Sequence, residues 1–348
     1  MKQTRFLVMA VAIALLAAAC GATTPGGGAA SSTPASTEAT DTTLPGEDDG
    51  GEAEAPAVEN GVGVTDTEVK VGFIITDTTR IESALGLEIP DQGDVEGQIQ
   101  TLVDHVNENG GLGGRTVVPS VRMFDALSDS PSTEEELCNA ITQDDQVFAV
   151  IMTGQFQENA RPCYANRQTV MLDWTFFPID TAGYEQYDPY LWSPALTPYD
   201  VLMGGLIDGL GGNGWLDGAS LGIIGADNEL SRKAFDDVIG PKLSGLGVEP
   251  TEIQWVDVTD TATLNPAIDQ AVLAFKAADI DRVITIGGSR IQPFFMQSAV
   301  AQQYTGTYAM TSYDSPDFSI LNDPDQVVGS SGISLLPAWD VADDQHPF

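Results

Sequence analysis

The stretch VFAVIMTGQFQENARPC, from Val147 to Cys163, contains the unit from which the fold can be predicted. Val147 to Met152 is an apolar run typical of a buried strand, and Thr153-Gly154-Gln155 predicts a turn. The next residues predict a helix that begins before Pro162, because proline fits the first turn of a helix. Such a corner directs free peptide N–H groups at one point, which suits a carboxylate. From this segment alone, the alternative is an ordinary strand–helix corner of an α/β sheet that binds no ligand.

Similar units lie on both sides of this stretch. The strands predicted before Pro194 also include Val69–Thr76, Thr116–Phe124 and Val170–Leu172, and the pattern restarts after it with Leu221–Ile224, Ile253–Val258, Arg282–Ile286 and Tyr308–Thr311. Helical patterns with short connections separate these strands, which is typical of parallel sheets. We therefore predict an α/β fold of two doubly wound lobes, residues 64–194 and 195–331, with a hinge near Pro194 and a cleft between the lobes.

Capping signals predict where several helices begin. Thr133 and Glu136 have the spacing of a capping box, and Asn265-Pro266 combines an N-cap residue with a proline at the first helical position. Thr197-Pro198 predicts the start of a helix that runs to Leu210.

The charge balance excludes some partners. The chain has 51 acidic and 14 basic residues, for a net charge of −37. Nucleic acids and anionic membrane surfaces are bound by basic patches, so we expect neither as a partner.

The N-terminus predicts export. Lys2 and Arg5 precede an apolar run that is too short to span a bilayer, so residues 1–20 are interpreted as a signal peptide. Ala17-Ala18-Ala19-Cys20 resembles a bacterial lipobox, which implies a lipid anchor on Cys20; a plain signal peptide is the alternative. Residues 21–63 are rich in Gly, Ser, Thr, Pro and acid, and predict a disordered tether with a reach of about 35–40 Å.

The two remaining cysteines are Cys138 and Cys163. In an oxidising compartment such a pair is expected to form a disulfide, although two buried free thiols remain possible.

Signals for catalysis are weak. The chain has two histidines, His105 and His346, and lacks the G-x-S-x-G motif. Gly110–Gly114 follows a helix instead of a strand, and Gly287–Arg290 lacks the Lys-Ser/Thr pair of a nucleotide site. We therefore predict no enzyme activity, no cofactor and no metal site.

Polar and aromatic residues follow most predicted strands. The loops concerned are Thr76–Thr79, Thr153–Gln157, Asp173–Phe177, Ala226-Asp227, Gly287–Arg290 and Thr311–Asp314. Ligands of open α/β sheets bind at the carboxyl ends of the strands, so we expect a ligand between the two lobes.

Two segments resemble a known family. Gly63–Gly72 (GVTDTEVKVG) and Asp104–Arg115 (DHVNENGGLGGR) are similar to the opening strand and first helix end of type I periplasmic substrate-binding proteins of ABC importers, in particular the leucine/isoleucine/valine-binding group. The resemblance covers about residues 63–348. It implies two lobes that close on a ligand like a clamshell.

The resemblance also implies a ligand site. An amino-acid carboxylate would meet Gln155-Phe156-Gln157 and the next loop, Trp174-Thr175-Phe176. An ammonium group would meet the second lobe, for which the matching positions are Asp227, Ser289, Tyr313 and Asp314. The family's two-serine cradle is replaced here by Phe156 and Gln157. The expected ligand is a small carboxylate-bearing, amino acid-like metabolite, with an aromatic or amide compound as the alternative.

The expected role is a monomeric, extracytoplasmic, membrane-anchored lipoprotein that delivers its ligand to an ABC permease. A sensor that signals to a membrane receptor is the alternative. We expect residues 332–348 to return to the first lobe. Family members continue beyond the point that corresponds to Phe348, so we also expect the C-terminal part of the first lobe to be missing from this sequence.

Overall fold

Strand β1 (Glu68–Asp77) lies inside the first of two five-stranded parallel sheets, as its apolar run predicts. The structure is a computed structural model that describes residues 60–175, 177–194 and 197–334. The signal peptide with Cys20, the tether up to residue 59, Phe176 and residues 335–348 lie outside the described residues. Within the described part, no helix has the length and apolar character needed to cross a membrane.

The first lobe contains strands in the order β2-β1-β3-β4-β5, all parallel. The other four strands are β2 (Thr116–Asp125), β3 (Ala149–Thr153), β4 (Val170–Trp174) and β5 (Leu191–Trp192). Val71 of β1 pairs with Pro119 on one side and Ala149 on the other. The predicted strands are confirmed. Strand β5 was not predicted, because a strand of two residues is too short to show an apolar pattern in the sequence.

The second lobe repeats this architecture with the order β10-β9-β8-β6-β7. Its strands are β6 (Leu221–Ala226), β7 (Glu252–Val256), β8 (Arg282–Ile286), β9 (Thr307–Thr311) and β10 (Ser331–Ile333). β6 is buried along its whole length, and Ile223 pairs with Ile253 and Ile284. The prediction of two doubly wound parallel-sheet lobes is confirmed.

Helices connect the strands in both lobes. In the described residues they are α1 (Ile81–Leu85), α2 (Val95–Glu108), α3 (Pro131–Asn139), α4 (Ala160–Asn166), α5 (Thr181–Tyr187), α6 (Tyr199–Gly212), α7 (Glu229–Ala234), α8 (Gly240–Gly245), α9 (Thr261–Ala277), α10 (Gln292–Ala301) and α11 (Pro316–Asn322). The π turn Phe235–Ile239 joins α7 to α8, so the three segments form one continuous helical element.

Two predicted helix starts are wrong. The capping box joins Ser130 to Thr133, because Pro131 occupies the first helical position and starts α3 earlier. Helix α9 begins after Asp260, whose carboxylate accepts a hydrogen bond from Ala262 N, and Pro266 lies inside the helix. Both true caps are side chains that accept hydrogen bonds from free N–H groups of the first turn.

The chain does not enter the first sheet at residue 332. Gly332 and Ile333 pair with Met310 and Thr311 at the edge of the second sheet. Ile333 also packs against α6, where its Cδ1 would lie 3.2 Å from a Cβ added to Gly205. Gly332 and Ile333, which we expected in the first lobe, therefore belong to the second sheet, and the rest of that prediction falls on residues 335–348, outside the described residues.

Cys138 of α3 and Cys163 of α4 form a disulfide with an S–S distance of 2.12 Å. This confirms the predicted pair and excludes the free thiols. The bridge links the helices that precede and follow β3, and both cysteines pack in the core of the first lobe.

Replacing both cysteines, in C138A/C163A, is expected to lower the free energy of unfolding by about 3 kcal/mol, because a cross-link across 25 residues no longer restricts the unfolded chain. Urea unfolding measures the loss. Dithiothreitol should reproduce it in the wild type and leave the variant unchanged. Equal unfolding midpoints for wild type and variant would contradict this expectation.

Candidate functional site

The carboxyl ends of β1 and β3 are tied together by two threonines. Thr76 Oγ1 donates to the carbonyl of Thr153 at 3.0 Å, and Thr153 Oγ1 donates to the carbonyl of Ile74 at 2.8 Å. Gly154 follows with a φ of +64°, and a Cβ there would lie 2.1 Å from Thr76 Oγ1. The predicted turn therefore requires glycine, for both its conformation and its close approach to β1.

The loop after β4 is fixed by a buried arginine. Arg161 Nε donates to Asp173 Oδ2 at 2.7 Å, and its other nitrogens donate to the carbonyls of Phe177 and Pro178. Asp173 Oδ1 accepts hydrogen bonds from Thr175 N and Oγ1, at 2.9 and 2.7 Å. Asp173 and Thr175 thus stabilise the loop itself.

Two buried carboxyl groups meet at the turn after β3. Asp129 lies in the loop that follows β2 and Glu134 lies in α3, both with no exposed side-chain surface. Gln155 Nε2 donates to Glu134 Oε2 at 2.6 Å, and Gln157 Nε2 donates to Asp129 Oδ2 at 2.8 Å. Burial raises the pKa of Glu134 to about 8, with a further rise from Asp129 and an opposing effect of the Gln155 amide. Burial thus favours the protonated form of Glu134.

Arg290, in the turn after β8, brings the second lobe to this carboxyl pair. Its Nη2 forms an ion pair with Asp129 Oδ2, and its Nη1 donates to the carbonyl of Val258 at 2.5 Å. The guanidinium lies over the ring of Phe156, 5.1 Å from the ring centroid. The side chain is 9% exposed, so this is a desolvated ion pair between the lobes.

Other polar contacts join the lobes at their margins. Lys233 of α7 pairs with Asp180, which caps α5, at 2.5 Å. Asn322 of α11 exchanges two hydrogen bonds with the backbone of Glu88, and Gln297 of α10 donates to the carbonyl of Leu85 at 3.0 Å. The connection between α1 and α2 therefore lies against the second lobe.

The predicted first-lobe ligand residues form a cluster. Gln155, Phe156 and Gln157 lie together, and each contacts a group of the chain: Glu134, Arg290 and Asp129 respectively. Thr175 binds Asp173, Trp174 is half-buried at the end of β4, and Phe176 lies outside the described residues.

The predicted second-lobe residues are more dispersed. Asp227 is exposed and pairs with Arg232 at 2.6 Å. Tyr313 is buried and donates to the carbonyl of Thr197, and Asp314 is fully buried and accepts from Thr311 N and Oγ1. Burial raises the pKa of Asp314 to about 6. Ser289 precedes Arg290 in the chain, and its Oγ is buried with no hydrogen-bond partner.

An open cavity of about 400 Å³ lies beside the end of β1. It is lined by first-lobe residues, mainly Ile75–Thr79 and Ile89–Glu96. This volume is within the range of small-molecule sites. In the part of the chain that the structure describes, no three His, Cys, Asp or Glu side chains are placed to hold a metal ion.

Sequence reasoning missed Asp129 and Glu134 as site residues. The abundance of acids hid both, since 51 acidic residues give many chance clusters. A usable signal did exist for Glu134, because it shares one face of the helix with the buried residues Leu137, Cys138 and Ile141. A carboxyl group on the apolar face of a helix indicates a buried partner.

Comparison with known proteins gives similarity at the level of structure. No protein-family model matches the sequence, and no curated protein matches it. A solute-binding protein of an ABC transporter from Rhodopseudomonas palustris BisB5, in complex with 3,4-dihydroxybenzoic acid, is 13% identical, with a TM-score of 0.50 over 71% of this chain and 63% of its own.

Two further solved structures are similar. The substrate-binding protein LivJ of the branched-chain amino acid transporter from Streptococcus pneumoniae, in complex with isoleucine, is 16% identical, with a TM-score of 0.50 over 75% of this chain and 68% of its own. A fatty acid ABC transporter substrate-binding protein from Thermomonospora curvata is 19% identical, with a TM-score of 0.51 over 80% and 66%. The chain thus spans about two thirds or less of its neighbours' length. These likenesses confirm the fold of type I periplasmic binding proteins.

Asp173→Asn is expected to lower the free energy of unfolding by roughly 3 kcal/mol, because it leaves the buried Arg161 without its counter-charge. Urea unfolding measures the loss. Asp208→Asn is the matched control, since Asp208 pairs with Lys242 at the surface and should change stability by less than about 0.5 kcal/mol. Losses of equal size in the two variants would show that burial of the Arg161 pair has no energetic consequence.

Proposed function

We propose that the protein is the extracytoplasmic solute-binding subunit of an ABC importer, and that it captures a small carboxylate-bearing metabolite between its lobes by clamshell closure. One observation carries the proposal. The carboxyl ends of both sheets meet at a contact in which Arg290 of the second lobe binds Asp129 and covers Phe156 of the first. This is the edge at which open α/β sheets bind ligands.

The similar structures support the chemical class of the ligand. The three neighbours are described with dihydroxybenzoic acid, isoleucine and fatty acid. These compounds differ in size and polarity, but each carries a carboxyl group. The shared carboxyl group supports a carboxylate-bearing ligand, and the differences among the three compounds give no support to one particular remainder.

The electrostatics of the cleft are compatible with an anion. With a net charge of −37, the protein as a whole repels carboxylates. At the strand ends, however, Arg80, Arg161 and Arg290 each pair with an aspartate: Asp125, Asp173 and Asp129. The pairing neutralises these carboxylates, and a ligand anion would meet a locally balanced surface.

The proposed contact residues are those of the strand ends. Ser289 has the strongest claim in the second lobe, because its buried Oγ is without a hydrogen-bond partner next to Arg290. The other proposed ligand contacts are Gln155, Phe156, Gln157, Trp174, Thr175, Phe176, Asp227, Tyr313 and Asp314.

The proposal includes a membrane anchor and a transport partner. Cys20 would carry the lipid, residues 21–59 would form most of the tether, and the closed protein would dock as a monomer on an ABC permease. Gly63, the last residue of the predicted tether, lies next to β1, where its carbonyl accepts a hydrogen bond from Lys70 N at 2.8 Å.

A thermal-shift panel tests the ligand class. It pairs amino acids, hydroxybenzoates and fatty acids with the corresponding amides, which lack the carboxylate. At a concentration of about 100 times Kd, at least one acid should raise the melting temperature by roughly 3–8 °C, while its amide should not. Small-angle scattering with that acid should show a smaller radius of gyration, because the lobes close. Shifts produced by neutral compounds alone would refute the proposed class.

Ser289→Ala should weaken binding of the acid that gives the largest shift by about 3–10-fold, because one hydrogen bond to the ligand is lost. Isothermal titration calorimetry measures Kd. Ser244→Ala, at an exposed position of α8, is the control and should leave Kd unchanged. An unchanged Kd in Ser289→Ala would remove Ser289 from the site.

A further inference from the structure

The carboxyl groups of Asp129 and Glu134 each have one satisfied and one unsatisfied oxygen. Asp129 Oδ2 binds Arg290 and Gln157, and Glu134 Oε2 accepts from Gln155. Asp129 Oδ1 and Glu134 Oε1 are buried and have no hydrogen-bond partner. Two adjacent buried carboxylates repel each other, and unpaired buried oxygens are destabilising. One proton on this pair removes the repulsion and allows a hydrogen bond between the two carboxyl groups.

The shared proton also balances the charge of the cluster. With one proton on the pair, a single negative charge faces the positive charge of Arg290. Burial raises the pKa of Glu134 to about 8, which places the proton on this residue at neutral pH. The other titratable group that faces Glu134 is Tyr164 of α4, whose pKa is raised by burial, so it stays neutral. Burial lowers the pKa of Arg290, and Asp129 and Glu134 oppose that effect; an arginine remains charged at neutral pH.

The carboxyl pair lies at the contact between the lobes, which the second lobe makes through Asp129 and Gln157. Asp129 and Glu134 belong to the first lobe, whereas Arg290 and the carbonyls of Val258 and Thr259 belong to the second. When the lobes separate, water reaches the carboxyl pair and the desolvation that raises the pKa of Glu134 decreases. Separation also removes Arg290, whose positive charge favours the ionised pair. Burial is the largest cause of the raised pKa of Glu134, so the open form binds a proton at this site less strongly than the closed form.

We propose that closing the lobes takes up one proton from solvent, shared between Asp129 and Glu134, and that the latch they form with Arg290 strengthens as the pH falls. The inference rests on the proposed function because it assumes lobes that open and close. It adds a regulation of that motion by pH.

The direction of the pH effect follows from proton counting. Between the ordinary pKa of a glutamate and about 8, the closed form holds the proton and the open form has released it. Each unit of rising pH then lowers the ratio of closed to open protein, by up to about tenfold for one proton. Above about pH 8 the closed form also releases the proton. Titration of this pair then no longer changes the ratio of closed to open protein.

Small-angle scattering of the whole protein without ligand, at pH 5.5, 7 and 8.5 and constant ionic strength, tests the latch. The wild type should expand as the pH rises. Glu134→Gln should keep one radius of gyration, because an amide donates the same hydrogen bond at every pH. Glu135→Gln, which replaces an exposed neighbour on α3, should behave as the wild type does. A wild type that does not expand, or a Glu134→Gln variant that expands equally, would overturn the latch.

Infrared spectroscopy gives a second readout that does not depend on a folded variant. The wild type at pH 7 should show the C=O stretching band of a protonated carboxyl group. If the Glu134→Gln variant folds, loss of the band in its spectrum assigns the band to Glu134. Absence of the band in the wild type would overturn the shared proton. Neither readout uses a ligand. A negative result for the latch would therefore not contradict the proposed solute binding. A thermal-shift panel in which no ligand binds would likewise not contradict the latch.

Discussion

All strands of both sheets run parallel, and this constraint organises the rest of the molecule. Parallel strands place their carboxyl ends, with the polar loops that follow, at one edge of each sheet. The buried strand β1 pairs along both sides, and Thr76 and Thr153 lock its end to that of β3. The turn at Gly154 can then place Gln155, Phe156 and Gln157 where the second lobe reaches them.

The pairing of charges is the second organising feature. In a chain with few basic residues, arginines at the strand ends are each matched to an aspartate, and two of these pairs are buried. A buried guanidinium without a counter-charge is strongly destabilising, so these matches fix loop conformation. Arg161 fixes a loop inside the first lobe, whereas Arg290 connects the two lobes. Similar chemistry thus stabilises a loop in one place and a contact between the lobes in the other.

The opening stretch of the sequence has a more specific meaning in the structure. Its turn was predicted to suit an external carboxylate, and in the structure Gln155 holds the carboxyl group of Glu134. That contact comes from the side-chain amide of Gln155, so the carboxylate site expected from the free backbone N–H groups of the turn stays a prediction. The identity of its partner could not be read, because Glu134 precedes the turn by 21 residues and lies on another element. Any ligand carboxylate shares this edge with an internal one.

The sequence by itself determined the two α/β lobes, the disulfide and the edge at which polar loops gather, because apolar runs, turn residues and cysteine number are local properties. It misplaced the starts of α3 and α9, where several capping residues compete and hydrogen-bond geometry chooses between Ser130 and Thr133 or between Asp260 and Asn265. Tertiary structure alone placed β10 in the second sheet and brought Asp129, Glu134 and Arg290 together. Burial and charge pairing across 161 residues of chain are properties of the folded packing, and no local pattern encodes them.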